Sequence, residues 1–477
     1  MATLAYLFTL VVVCVNSVAS SESAGDVQLW LSISAQQRQL EVSWINARSH
    51  PGDMVLITNQ EPLAFEKVKL QMTTEMLGES FEGSGSGAGG GLIPQIDTSP
   101  KSLLDVIPLD TSSGGTDSSQ FYWISNGGQA DVVALVRPVQ SKQWFTTPVR
   151  FDYGLSQNVT AYTKCYGYWA SYVDKNGTIL ASNCMRAYPK WMNEMRSVVS
   201  GLRIRDLFIP GTHDSGSYRP NFAPSRRETI VTKYALTQDD DIRGQLMHGV
   251  RYLDIRVGYY KNTPDLFYVN HGITRQRPLS EVVDQVMDFV LETNEIVIFG
   301  VKEFPVGFGK TLGVHRLLVS YLKNRFGQLL VTPNVSWQVF LGDVWRMNQN
   351  IFLAYDHGPT LWEFSEILFG PIEQRWGDVR TWPRLEKHLI SINEYDRMRL
   401  SSRPVADMAE LTPDTWGVIT DKYGGLRKMA DEVNWRITDL YRDRLGEHAN
   451  IVAADFIRGT CLVEIAMELN KKKVINR

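Results

Sequence analysis

Surplus charge of either sign is scarce. Forty-nine Lys and Arg against 52 Asp and Glu leave a formal −3 over 477 residues, a field too weak to recruit nucleic acid. The basic run Lys471-Lys472-Lys473 is short and reads as a solvated helix end. Beyond the first 20 residues no apolar run is long enough to suggest a membrane span. Cysteine is rare, with four in the chain. Histidine is thin in the first 190 residues, where His50 stands alone beside a turn proline. Binding or packing is therefore the default expectation for that part.

What is present begins with a leader. Leu4 to Val15 is almost wholly apolar and Val18-Ala19-Ser20 supplies small residues for cleavage, so residues 1–20 read as a secretory signal and the protein as secreted or luminal. A retained anchor is the alternative. Loss of the leader removes Cys14 and leaves Cys165, Cys184 and Cys461. Cys165 and Cys184 flank the turn Asp174-Lys175-Asn176-Gly177 and should face each other across a hairpin. A disulfide closing that loop stabilises by about 3 kcal/mol in the entropic account. Cys461 is left as a buried thiol on the last helix. Three triplets at Asn158, Asn176 and Asn334 fit glycosylation acceptors.

From residue 21 to about 190 the pattern is β. Val27–Ser34 and Leu40–Trp44 alternate around a polar turn, and further runs at Met54–Thr58, Gln120–Ser125, Asp131–Arg137, Gln143–Phe151 and Cys165–Cys184 predict an all-β, sandwich-like domain. The stretch Gly83–Gly91 within it reads as a flexible loop. From 191 to 477 short apolar strands alternate with helices, which predicts an irregular TIM-like (β/α)8 barrel; a doubly wound sheet is the competing architecture. Strands are expected at Asp206–Ile209, Arg251–Val257, Leu266–Asn270, Glu295–Val301, Ile351–Tyr355, Gly417–Thr420 and Ile451–Asp455. Helices are expected over Asp239–Val250 with Thr237 as N-cap, from Pro278 to Glu292, and over His315–Phe326, Pro383–Ile392, Leu426–Leu445 and Cys461–Leu469.

The strand ends carry the chemistry. The first strand runs into His213-Asp214, the second holds Asp254-Ile255-Arg256, the third ends in Asn270-His271-Gly272, the fourth in Lys302-Glu303 and the last in Asp455. Period-two alternation puts Asp254 and Arg256 on one face. Each group alone has an ordinary reading as a loop cap, a salt bridge or a solvated pair. Together they suit phosphoryl transfer. One imidazole takes a proton from a hydroxyl and the other protonates the leaving oxygen. The guanidinium holds the phosphate, and carboxylates behind the imidazoles fix their tautomers.

The motifs Ile209-Pro210-Gly211-Thr212-His213-Asp214-Ser215, Arg251–Arg256 and Asn270-His271-Gly272 resemble, in order and spacing, the X domain of phosphatidylinositol-specific phospholipase C, in its bacterial and X-domain-only animal forms. The resemblance covers about residues 195–470. It implies cleavage of the glycerol–phosphate bond of a phosphoinositide or glycosylphosphatidylinositol lipid, in the bacterial type through attack by the inositol 2-hydroxyl. It implies His213 as base, His271 as acid, Asp214 supporting His271, Arg256 on the phosphate, Asp254 on the acid side and Asp455 behind the base. Lys302 falls near a substrate-contacting position, and Tyr355 stands where bacterial members can carry an inositol-contacting arginine. Arg256 replaces the carboxylate of calcium-dependent members, so no metal or other cofactor is expected. A lipid substrate calls for a membrane-facing rim, and the segment from Leu361 to Pro383 offers Trp362, Phe364, Phe369, Trp376 and Trp382 for it, although core packing is the more frequent explanation of such residues. The alternatives are a catalytically weak lipid-binding module and a metal-dependent glycerophosphodiesterase.

Overall fold

The computed structural model describes residues 26–69, 121–126, 132–219, 228–398 and 402–475. The expected leader with Cys14, and the loop Gly83–Gly91, lie outside the described residues. Among the described residues nine strands precede residue 190: β1 (Gln28–Ile33), β2 (Gln39–Ile45), β3 (Met54–Thr58), β4 (Ala64–Lys69), β5 (Phe121–Asn126), β6 (Val132–Val136), β7 (Gln143–Arg150), β8 (Cys165–Val173) and β9 (Ile179–Arg186). They form antiparallel sheets in the orders β1-β2-β7 and β6-β3-β8-β9, with β4 and β5 as a separate pair. Cys165 and Cys184 are bonded across the β8–β9 hairpin, their Cα atoms 5.6 Å apart, where the ladder shifts register. Cys461 is free and buried, and Asn158, Asn176 and Asn334 are exposed.

The remaining strands are β10 (Ile209–Thr212), β11 (Tyr252–Tyr259), β12 (Phe267–His271), β13 (Thr274–Pro278), β14 (Val297–Glu303), β15 (Ile351–Tyr355), β16 (Glu373–Arg375), β17 (Val405–Met408) and β18 (Ile451–Ala454). Parallel pairing runs β16-β17-β18-β10-β11-β14-β15. First and last strands of this half are therefore neighbours. A parallel bridge from Ala354 to Phe369, just ahead of β16, joins the two ends of the series. Alternation sorts the side chains. Ile209, Tyr252, Ile298, Phe352, Ala406 and Ile451 meet in one apolar cluster. The intervening Leu253, Phe299, Leu353 and Val452 join a larger cluster with the helices and with Val42 and Trp44 of β2. Helix Leu279–Thr293 buries Val282, Val283, Val286, Phe289 and Val290, the stripe its 3.6-residue period predicts.

Several expectations need correction. The expected third barrel strand, now β12, pairs antiparallel with the outer half of β11. Beyond Ile255 the β11–β14 register shifts, and the end of β11 pairs with β12, which pairs in turn with β13. Gly417–Thr420 is no strand. Asp414 caps a helix over Thr415–Ile419, its Oδ1 accepting from Gly417 N at 2.8 Å. The strands β16 and β17 were not expected. The helix placed at Asp239–Val250 spans Ile242–His248 and its cap is Asp241; Thr237 instead donates its hydroxyl to the carbonyl of Asp214 at 2.9 Å. The first strand starts later than expected, because Ile204–Asp206 forms a short 3-10 turn.

Candidate active site

β10 ends at Thr212, and His213 follows with its N–H on Ala454 O of β18 at 3.2 Å. Asp214 has φ 39, a left-handed conformation that Asp tolerates better than most residues. Its N–H donates to Asp254 Oδ2 at 3.0 Å, and Asp254 N–H donates to Ser215 Oγ at 2.9 Å. These two bonds weld the loop after β10 to the middle of β11. Gly216 leaves room for β12: a Cβ there would lie 2.4 Å from Val269 Cγ1. On the other flank Phe456, next to Asp455, is also left-handed at φ 47, an uncommon state for an aromatic residue and one that gathers at functional sites.

The two histidines stand edge to face, ring centroids 6.5 Å apart at 89°. His213 Nδ1 lies 2.7 Å from Asp455 Oδ1, and its Nε2 lies 2.8 Å from Arg256 Nη2. His271 Nδ1 meets Ala235 O at 3.1 Å, and its Nε2 faces Asp214 Oδ2 at 3.8 Å. A carbonyl can only accept, so His271 Nδ1 carries a proton and Nε2 is the atom free to exchange one. Arg256 reaches Asp254 at 3.4 Å, Asp214 at 3.7 Å and Glu303 at 3.9 Å. Lys302 lies 3.9 Å from Glu303.

The carboxyls differ in state. Burial raises Asp214, more than Arg256 and the histidines lower it, and neither of its oxygens has a hydrogen-bond donor among the described residues. Burial also pushes Asp254 up, but Arg256, His213 and Lys302 outweigh it and hold the group below the usual carboxylate range. Asp254 also accepts from Gln374 Nε2 at 2.9 Å.

For His213 the charges and the contacts disagree. Burial lowers its pKa, while Glu410 and Asp455 override burial and Arg256 to raise it to about 9. Yet Arg256 can only donate, so at 2.8 Å Nε2 must hold a lone pair. Glu410 reconciles the two. Burial, with Asp455 and Asp254 adding to it, raises Glu410 to about 7. That lift weakens the pull of Glu410 on His213 near neutrality without abolishing it, and the contacts are those of a neutral imidazole that donates from Nδ1 to Asp455.

Of the residues expected from the sequence, His213, Asp214, Asp254, Arg256, His271 and Asp455 come together, with Lys302 beside them. Tyr355 does not join them: it is fully buried and its hydroxyl lies 2.7 Å from His315 Nδ1. Glu410 and Gln374 were missed. Both sit on or just past β16 and β17, the strands that went unread. The aromatic segment divides: Trp362 is 87% and Trp376 52% exposed, while Phe369 and Trp382 are buried and Phe364 packs against the core.

No family model matches the chain. Mouse (Mus musculus) PI-PLC X domain-containing protein 3 is 25% identical over 311 residues, which cover 59% of this chain and 94% of that protein. Human (Homo sapiens) PI-PLC X domain-containing protein 1 is 25% identical over 331 residues, 62% of this chain and 98% of the other. Among solved structures, phosphatidylinositol-specific phospholipase C from Listeria monocytogenes aligns with a TM-score of 0.44 at 18% identity, covering 59% of this chain and 98% of its own. That from Staphylococcus aureus aligns at 0.46 and 16%, covering 58% and 96%. As the three motifs implied, the chain is similar to the PI-PLC X domain-containing proteins over about three fifths of its length.

Proposed function

We propose that the protein is a phosphodiesterase that cleaves the glycerol–phosphate bond of a phosphoinositide or glycosylphosphatidylinositol lipid. The observation that carries the reading is the pair of histidines held 6.5 Å apart, His213 between Asp455 on Nδ1 and Arg256 on Nε2, and His271 between the Ala235 carbonyl on Nδ1 and Asp214 facing Nε2. Incoming phosphate draws the guanidinium off His213 Nε2, which then accepts the proton of the attacking inositol hydroxyl. Arg256 offsets the charge that develops on the phosphoryl oxygens. His271, with a proton on Nε2, gives it to the departing glycerol oxygen. The products are diacylglycerol and a cyclic inositol phosphate. Arg256 stands among Asp214, Asp254 and Glu303, where a divalent cation would need their charge, so the residues fit a guanidinium-assisted site better than a calcium site. We read the parallel ring as an irregular TIM-like barrel over 191–477 and the preceding sheets as a sandwich-like domain over 21–190.

Exposed Ile273, Trp362, Trp376 and Trp416 each follow the end of a strand on this face and suit contact with a lipid surface. No described helix is long and apolar enough to cross a membrane. Export through the secretory pathway, with glycans on Asn158, Asn176 or Asn334, completes the reading. The test is diacylglycerol release from phosphatidylinositol vesicles in excess chelator. Release is expected from the native protein and not from His213→Ala; no release at stoichiometric enzyme overturns the proposal.

A further inference from the structure

The relatives are matched over nearly their whole length by about three fifths of this chain. The rest has no counterpart in them, and the N-terminal sheets pack against the loops behind the site, Arg458 lying over Phe151 and Tyr153. Three consecutive residues, Thr237, Gln238 and Asp239, form the junction that reaches His213. Thr237 Oγ1 donates to Asp214 O at 2.9 Å, and Phe456 N donates to Thr237 O at 2.7 Å. Gln238 Nε2 reaches His213 O at 3.0 Å and Ala454 O at 2.9 Å, and its Oε1 accepts from Ile457 N at 3.3 Å. One amide side chain thus holds the backbone of the histidine and the residue that leads into its carboxylate, Asp455.

Asp239 points the other way. Its Oδ1 lies 2.5 Å from Arg38 Nη2 and 2.6 Å from Arg427 Nη1, with all three side chains buried. Its Oδ2 accepts from Tyr153 OH at 3.1 Å. Arg38 sits at φ 56 in the turn between β1 and β2, its carbonyl accepting from Phe151 N at 2.8 Å, and its guanidinium stacks over Tyr153 at 4.7 Å. Both Arg38 and Tyr153 belong to the N-terminal part. Placing a carboxylate where it needs partners from both halves, next to the residue that clamps the His213 backbone, couples the two.

We infer that the N-terminal sheets are part of the catalytic frame, with Arg38 acting as a positioning residue for His213 and Asp455 through Asp239 and Gln238. Its effect on turnover rests on the function proposed above; its effect on the geometry of His213 does not. Small errors in placing an acid–base group are costly in rate, on the order of a hundredfold for about 1 Å. Coupling through packed, hydrogen-bonded neighbours is established only when both ends respond.

The experiment uses the full-length protein with labelled histidine and follows the His213 ring by NMR across pH, alongside lipid turnover. Arg38→Ala, in which Arg427 still pairs Asp239, should shift the His213 resonances and their titration midpoint and lower kcat on the order of tenfold with KM little changed. Arg38→Lys should restore part of both. Lys142→Ala, which breaks the surface ion pair from the same N-terminal part to Asp439 and Asp443, should alter neither. Should Arg38→Ala not fold, Tyr153→Phe removes one Asp239 contact and is read in the same way. A folded Arg38→Ala or Tyr153→Phe with native His213 signals overturns the inference. Absence of turnover in the native protein would sink the proposed function, while a His213 response to Arg38→Ala would still support the frame.

Discussion

Arg251 and Arg256 bracket one strand and live by opposite rules. Arg251, just ahead of β11, is fully buried against fully buried Glu295 at 2.7 Å. Its other donors go to the carbonyls of Tyr188, Pro189, Leu246 and Val250. Every polar atom is matched, and the residue ties β11 to the segment entering β14. Arg256, toward the far end of the strand, meets three carboxylates at 3.4–3.9 Å, and its Nε has no hydrogen-bond partner among the described residues. Those carboxylates keep its charge fixed against the cost of burial. A saturated arginine stabilises the fold; an unsaturated one retains capacity for a phosphate. The division agrees with barrels whose strands keep stability at one end and chemistry at the other.

The largest effect is expected at the saturated end. Arg251→Ala leaves buried Glu295 without its guanidinium, with only Met192 N and Asn193 still donating to it, and should cost about 3–5 kcal/mol of stability in urea unfolding. A loss under about 1 kcal/mol would erase the contrast. Arg256→Ala should do the reverse: a drop in kcat of roughly 10²–10³, with a smaller fall in the urea midpoint than Arg251→Ala gives. Loss of stability without loss of cleavage would invert the assignment.

Glu410→Gln sharpens the picture through pH. In the proposed mechanism cleavage rises as the base sheds its proton, and Glu410 is the strongest charge raising His213. Its removal should move the rising limb of kcat/KM toward lower pH by about one unit or more; an unmoved limb would free His213 from Glu410. The stability sign is also fixed. The folded pKa of Glu410, about 7, lies above the ordinary 4.5. Its contribution is therefore full below 4.5 and lost as pH rises through 7. The Gln variant should flatten that slope. The smallest effect belongs to Tyr355→Phe, which strips a buried partner from His315 and should cost about 1 kcal/mol by thermal unfolding. A neutral result would mean that water takes over the bond.

The site was more legible than the frame around it. His213, Arg256 and His271 occur in motifs whose order and spacing carry the resemblance, and Asp455 ends an apolar run that reads plainly as a strand. Tertiary context decided the rest. β16, Glu-Gln-Arg, is polar and three residues long, and nothing in its period marks a strand. β17 is four residues with a buried aspartate, Asp407, that accepts from Tyr441 OH at 2.6 Å, so its alternation reads as broken. With those strands unread, Glu410 and Gln374 had no place to point. β12 was read as a strand but in the wrong company. Pattern gives the period of a strand but not the sense of its neighbour, and the register shift at Arg256 is invisible in composition.

His213 and Asp455 are separated by 242 positions along the chain, and β10 finds its neighbour β18 over a similar span. Closing so long a loop is slow compared with forming local helices. A chain emerging from the ribosome therefore carries its histidine early and its carboxylate late. The His213–Asp455 pair is completed only when β18 docks, so assembly of the ring itself sets the moment at which the proposed cleavage becomes possible.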